Sequence, residues 1–196
     1  MKRRNASLMA GAIILAGAAL LAGAAAASET DGRWLHVRVK DRGNHGESVK
    51  VNLPISVLET MASSIEAEGM KDGRVQFADN DLSFDQIRSM WQAVRSSQDM
   101  EFVTVESGDE TIRVAKSGGY LLAKIRGNED GNKSGETVDI KVPLDVVDAL
   151  LSAPKGELNV KAALQILAAH DAGALVEVHD GDSDVRIWID SRANAE

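Results

Sequence analysis

The sequence predicts an α+β protein in which antiparallel sheets carry helices packed on one face, and three observations carry that prediction. Short segments alternate apolar and polar residues, as in Leu35-His36-Val37-Arg38-Val39 and Val49-Lys50-Val51-Asn52-Leu53. That period of two is the mark of half-buried strand. Apolar residues at helical spacing follow Pro54 and Pro143, where a fixed φ suits a helix start and ends a ladder. The whole pattern is written twice, which makes the expected fold a tandem duplication of a β-β-α-α-β-β unit.

The elements follow in order. Lys2, Arg3 and Arg4 precede an uncharged apolar run of 20 residues, Leu8 to Ala27, that closes on three alanines before Ser28. A basic start, an apolar stretch and a small-residue end form a secretory signal pattern. The run is long enough to span a bilayer if kept, but its Ala/Gly richness suits a cleaved signal better than an anchor. The expected organisation is a signal peptide over residues 1–27, a first repeat over 28–117 and a second over 118–196, with Ser117-Gly118-Gly119 as the hinge.

In the first repeat, strands at 35–39 and 49–53 flank a polar loop, and Ile55, Leu58, Met61, Ala62 and Ile65 recur at helical spacing. Ser83 reads as an N-cap of a second helix burying Phe84, Ile87, Met90, Trp91 and Val94. A longer segment from Gly69 to Asp81 separates these helices, and the alternation of Val75 and Phe77 admits a short extra strand there. A hairpin at 102–116 closes the unit. In the second repeat Leu121 to Ile125 and Val138 to Pro143 echo the first two strands, and helices follow Pro143 and an Asn159 cap. The hairpin Val176 to Ile187 echoes Val103 to Val114, with Arg186 matching Arg113.

The segments Val51-Asn52-Leu53-Pro54, Ile140-Lys141-Val142-Pro143 and Val185-Arg186-Ile187 carry a family resemblance. Over about Trp34 to Asp190 the chain resembles the amino-terminal module of LiaX/YvlB-type envelope-stress proteins and related bacterial repeat proteins. The resemblance implies a non-enzymatic module tied to surveillance of the cell envelope, and it brings no catalytic residue with it.

Composition narrows the function classes. There are no cysteines, which removes disulfides, thiol catalysis and a lipid-modified cysteine anchor. Removing residues 1–27 leaves 19 Lys+Arg against 30 Asp+Glu, a formal −11, a balance that argues against nucleic acid and anionic membrane surfaces as partners. No G-x-S-x-G elbow occurs, and His36, His45, His170 and His179 share no metal-ligand spacing. His36 is expected to face solvent from its strand. The loop beginning at Asp180 has Val185 and Ser191 where a calcium loop needs Gly and Glu, so a tight hairpin turn accounts for its acids. No catalytic, metal or cofactor residue is assigned.

Alternation separates the two sheet faces. If Leu35, Val37 and Val39 pack under the helices, then Trp34, His36 and Arg38 share the other face with Lys50, Asn52, Phe102, Thr104 and Arg113. The second repeat places Tyr120, Leu122, Leu175, Arg186 and Trp188 there. Trp, Tyr and Arg are enriched at binding hot spots. The candidate partner-binding face is therefore Trp34, His36, Arg38, Arg113, Tyr120, Arg186 and Trp188; the competing reading is that the repeats seal these residues between themselves. The expected function is an exported, periplasmic or secreted, non-enzymatic interaction or envelope-stress module. Its partner would be an envelope protein or another copy of itself, with no nucleic acid and no membrane span after signal cleavage. The alternative is a periplasmic enzyme or small-ligand binder.

Overall fold

Where apolar and polar residues alternate, the chain is strand, and nearly all of these strands join one sheet. The structure is a computed structural model describing residues 32–41, 47–66, 69–77, 83–108, 110–127, 135–154, 156–180 and 183–194, all within the unit Asp31–Glu196. The expected signal segment 1–27, His45, the loop 128–132 and Asp182 lie outside the described residues. The main strands are β1 (Trp34–Asp41), β2 (Ser48–Pro54), β5 (Met100–Ser107), β6 (Glu110–Ser117), β7 (Tyr120–Gly127), β8 (Thr137–Pro143), β10 (Gly173–Asp180) and β11 (Ser183–Asp190). Two short strands, β3 (Met70–Lys71) and β4 (Arg74–Gln76), occupy the long inter-helix segment, and β9 (Glu157–Asn159) precedes the last helix. The helices are α1 (Ile55–Ser64), α2 (Phe84–Ser96), α3 (Leu144–Leu150) and α4 (Val160–Ala169).

Helix starts follow the local chemistry. Pro54 and Pro143 end their strands and hand over directly to α1 and α3. The first helical N–H is satisfied in the same way at both places, Ile55 N donating to Arg33 O at 2.9 Å and Leu144 N to Gly119 O at 3.0 Å. Ser83 caps α2 in a reciprocal box with Gln86, and the Asn159 side chain accepts from Ala162 N at the start of α4. At the other end of α2, the buried Lys116 ammonium donates to the carbonyls of Val94, Arg95 and Ser97, a cation placed where the helix dipole favours one.

All contacts in the main sheet are antiparallel, in the order β2-β1-β11-β10-β8-β7-β6-β5. The strands of residues 120–190 lie together in the middle, while those of residues 34–117 flank them on both sides. The helices repeat this interleaving. Phe84 and Trp91 of α2 pack with Leu144 of α3 and Leu151 just after it, over Leu121. Ile55 of α1 packs with Leu167 of α4 and Ile189, beside Leu35 and Leu175. Each core cluster thus draws on both parts of the chain.

The segment between α1 and α2 makes that span. The short strand expected around Val75 is present as β4, which pairs with both β3 and β9. Asp72 and Gly73, both at positive φ, form the β3–β4 turn, the pair a twisted two-residue hairpin demands. Gly73 O accepts from Lys161 N at 3.0 Å, and Phe77 N donates to Gly156 O at 2.9 Å. These bonds strap the first part of the chain across the helical region of the second.

Two expectations are corrected. Met90 is 58% exposed and stays outside the α2 core stripe, because the packing of α2 on α3 uses Phe84, Ile87, Trp91 and Val94. Phe102 and Leu175 do not continue the alternation, since a β-bulge falls between Glu101 and Val103 and another between Ala174 and Val176. The extra residue resets the face, and Leu175 packs against the Ile55–Ile189 cluster on the helix side.

Candidate interaction face on the sheet

Every residue of the eight-stranded sheet in the two core clusters, namely Leu35, Leu121, Leu175 and Ile189, packs on the helix side. The opposite side is polar. Its central row crosses all eight strands as Lys50, Arg38, Arg186, Glu177, Asp139, Lys124, Arg113 and Thr104, each the direct partner of the next. Five cations therefore flank two adjacent carboxylates. Arg186 Nε lies 3.2 Å from Glu177 Oε1, and Arg126, in the neighbouring row, makes a two-pronged contact with Asp139.

The seven candidate residues divide into groups. His36, Arg38, Arg186 and Trp188 come together on the adjacent strands β1 and β11. The His36 ring stacks on Trp188 with centroids 4.9 Å apart and 23° between planes. The Arg186 and Arg38 guanidiniums lie 5.2 and 6.0 Å from the Trp188 ring centre, within cation–π range. Trp34 sits beside them in register with Asp190. Tyr120 lies apart on β7, with Lys141 Nζ 4.0 Å above its ring, and Arg113 is exposed on β6. The two parts of the chain stand side by side in one sheet, so this face is not closed by stacking one part on the other.

His36 is corrected outright: it is fully buried. Its Nδ1 lies 2.7 Å from Asn52 Oδ1 and its Nε2 donates to Asp190 Oδ1 at 3.0 Å. Alternation does point it away from the helices, but Trp188 and its two hydrogen-bond partners enclose it. Burial pushes the Asp190 carboxyl upward in pKa, yet the Arg192 backbone N–H, His36 and the Trp188 indole N–H outweigh it and hold the carboxyl below the ordinary carboxylate value. Among the described residues the ring partners of His36 are an amide on β2 and a carboxylate on β11, so the arrangement pins three strands together. Arg38 Nη1 is buried without a hydrogen-bond partner among the described residues.

Sequence reasoning missed Asp190, which follows the last expected strand and is legible only through its register with Trp34. It also left out Lys124, Asp139 and Glu177, although their parity along β7, β8 and β10 places them on this face. These three and Tyr120, Leu122 and Lys141 line an open groove of about 510 Å³. Among the described residues no cluster of three or more His, Cys, Asp or Glu is placed to hold a metal ion, and no helix is long and apolar enough to cross a membrane.

Residues 33–115 match the family model of the YvlB-like protein, C-terminal domain, consistent with a YvlB/LiaX-type relationship. The matched model is the C-terminal domain, where the sequence had suggested an amino-terminal module, and it covers β1 through most of β6. No curated protein and no solved structure matches the chain.

Proposed function

From the YvlB-like relationship of residues 33–115, we propose that the chain is an exported, non-enzymatic protein-interaction module with an envelope-stress-related role, acting in the periplasm or outside the cell, and that it is a tandem duplication of one β-β-α-α-β-β unit. Matching registers support the duplication. The pairs Val103–Val114, Thr104–Arg113 and Val105–Ile112 recur as Val176–Ile187, Glu177–Arg186 and Val178–Val185. The bulges fall at equivalent places, and the bonds Ile55 N to Arg33 O and Leu144 N to Gly119 O correspond.

The observation that carries the interaction reading is the polar face, which bears none of the described helices: a broad surface where cations flank two central carboxylates, with Trp188 and two guanidiniums at one side. Buried aromatics ringed by arginine and exposed polar residues are the composition of a protein-binding surface. The groove at Tyr120, Lys124 and Lys141 favours a second reading, a site for a small anionic ligand.

The test places a photo-crosslinking amino acid at Arg113 and, separately, at Arg186, both exposed, in living cells. A discrete heavier adduct at either position, identified by mass spectrometry as an envelope protein, is expected. No adduct above the level obtained with the same probe at the exposed Lys71, which lies off this sheet, refutes the reading. A chain that yields no adduct but melts higher with an anionic metabolite mixture, and loses that shift in Lys141→Glu, points to the groove instead.

A further inference from the structure

In the eight-stranded sheet, each strand contact made by residues 120–190 has an equivalent made by residues 34–117, with one exception. The pair β1–β2 corresponds to β7–β8, β5–β6 to β10–β11, and β1–β11 to β7–β6. The pair β8–β10 joins Val138 to Val178, Asp139 to Glu177 and Ile140 to Val176. Its counterpart would join β2 to β5, and these two strands are the opposite margins of the sheet. Six strands stand between them, so at the usual inter-strand spacing the margins lie about 34 Å apart along the sheet.

The margins carry the chemistry of that missing pair. On the helix side, Val51 to Val103 and Val49 to Val105 form the two ends of aliphatic rows that run unbroken across all eight strands. In the interior of the sheet, Val138, Ile140, Val176 and Val178 are half-buried. At the margins, Val49 is 48% exposed, Val103 43% and Val105 46%. An edge that exposes both unmet backbone groups and aliphatic side chains is a template for another strand. The match to residues 33–115 treats as one unit the stretch whose two ends this structure holds apart.

We propose that the occupant of these margins is a second copy of this chain, with β2 of one copy pairing antiparallel to β5 of the other in the register that β8 and β10 use. That register sets Val49 against Val105, Lys50 against Thr104 and Val51 against Val103. The pairing covers the exposed valines and completes in trans the β-β-α-α-β-β unit that the second half completes within one chain. It rests on the duplication reading and not on the polar face; of that face's probes, Arg186 lies two strands in from β2 and Arg113 one strand in from β5.

The chain has no cysteine, so single cysteines report cleanly. Lys50→Cys and Thr104→Cys are both at exposed positions, and each variant is purified alone and the two are then mixed and oxidised. A disulfide-linked pair formed on mixing, at least tenfold more abundant than with Lys50→Cys plus Glu106→Cys, is expected, together with a mass of two chains or more by light scattering of the unmodified protein. A monomer at all concentrations without cross-linking overturns the proposal. So does a Lys50→Cys/Thr104→Cys double variant that cross-links only within one chain, because that means the two margins meet each other. A polar-face probe that fails while this cross-link forms leaves the edge pairing standing.

Discussion

Replacing Gly73 by alanine tests the strap that ties β3 and β4 to α4. Gly73 has φ +72, and a Cβ built there would stand 2.6 Å from Lys161 Cβ, 3.5 Å from Ala62 O and 3.5 Å from Lys161 N. Two costs combine. A side chain in the left-handed region costs about 1–2 kcal/mol, and forcing a methyl into a filled site costs about 1–3 kcal/mol more. Lys161 Cβ is fixed to the first turn of α4, so relief requires moving the backbone that makes the Lys161 N to Gly73 O bond. The expected loss is therefore about 2–5 kcal/mol, which lowers the melting temperature by roughly 4–20 °C for a chain of this size. Gly69→Ala supplies the control. Gly69 has φ +79 but nothing within 4 Å of its built Cβ, so it carries the backbone cost alone, about 1–2 kcal/mol. Thermal melts of both variants by far-ultraviolet circular dichroism measure the difference. If Gly73→Ala melts no lower than Gly69→Ala, the close approach of the turn to α4 is not made in solution and the strap is refuted.

Three further outcomes follow from the same contacts. Lys116→Met keeps the buried stem but removes the ammonium from three carbonyls at the end of α2; a loss of about 1–3 kcal/mol by urea unfolding is expected. Asp148→Ala takes the carboxylate from the buried Trp91 indole N–H, 2.6 Å away, and from Arg95 Nε at 2.8 Å. It should cost about 1–3 kcal/mol, most of it from the orphaned indole, and the altered Trp91 surroundings are read by fluorescence. Asp190 is held below its ordinary value in the folded chain, so its stabilisation is present above the unfolded carboxylate value of about 3.9 and fades as pH falls through the lower folded value. Asp190→Asn should accordingly be less stable than the natural chain at neutral pH, with the gap narrowing below about pH 4; a gap that stays constant down to pH 2 removes the carboxylate from the account.

Much of the architecture was legible one segment at a time. Period-two alternation located the eight long strands and sorted Val37 from Arg38, since successive side chains on a strand point to opposite faces. Pro54, Ser83, Pro143 and Asn159 marked the helix starts because each acts on dihedrals or N–H groups within a few residues of itself. The polar face was legible for the same reason, including the placement of Arg113 and Arg186. The bulges that turn Leu175 toward the helices were not, because an inserted residue leaves no compositional mark on an apolar strand.

What tertiary structure alone decided is who pairs with whom. The pattern of β2, Val49-Lys50-Val51-Asn52-Leu53, satisfies an edge as well as a place in the middle of a sheet, and nothing local chooses between them. The choice came from residues far apart in sequence: β11 taking the side of β1 away from β2, and the Asp72-Gly73 turn reaching Lys161. His36 was hidden by the same logic. Its alternation set the face, but its burial required Asn52 and Asp190, 16 and 154 residues away. By itself the sequence determined a secondary structure and its two faces, because those are governed by neighbours along the chain. The interleaving of the two halves, the buried histidine and the unmatched margins β2 and β5 were settled only by contacts that exist once the chain has folded.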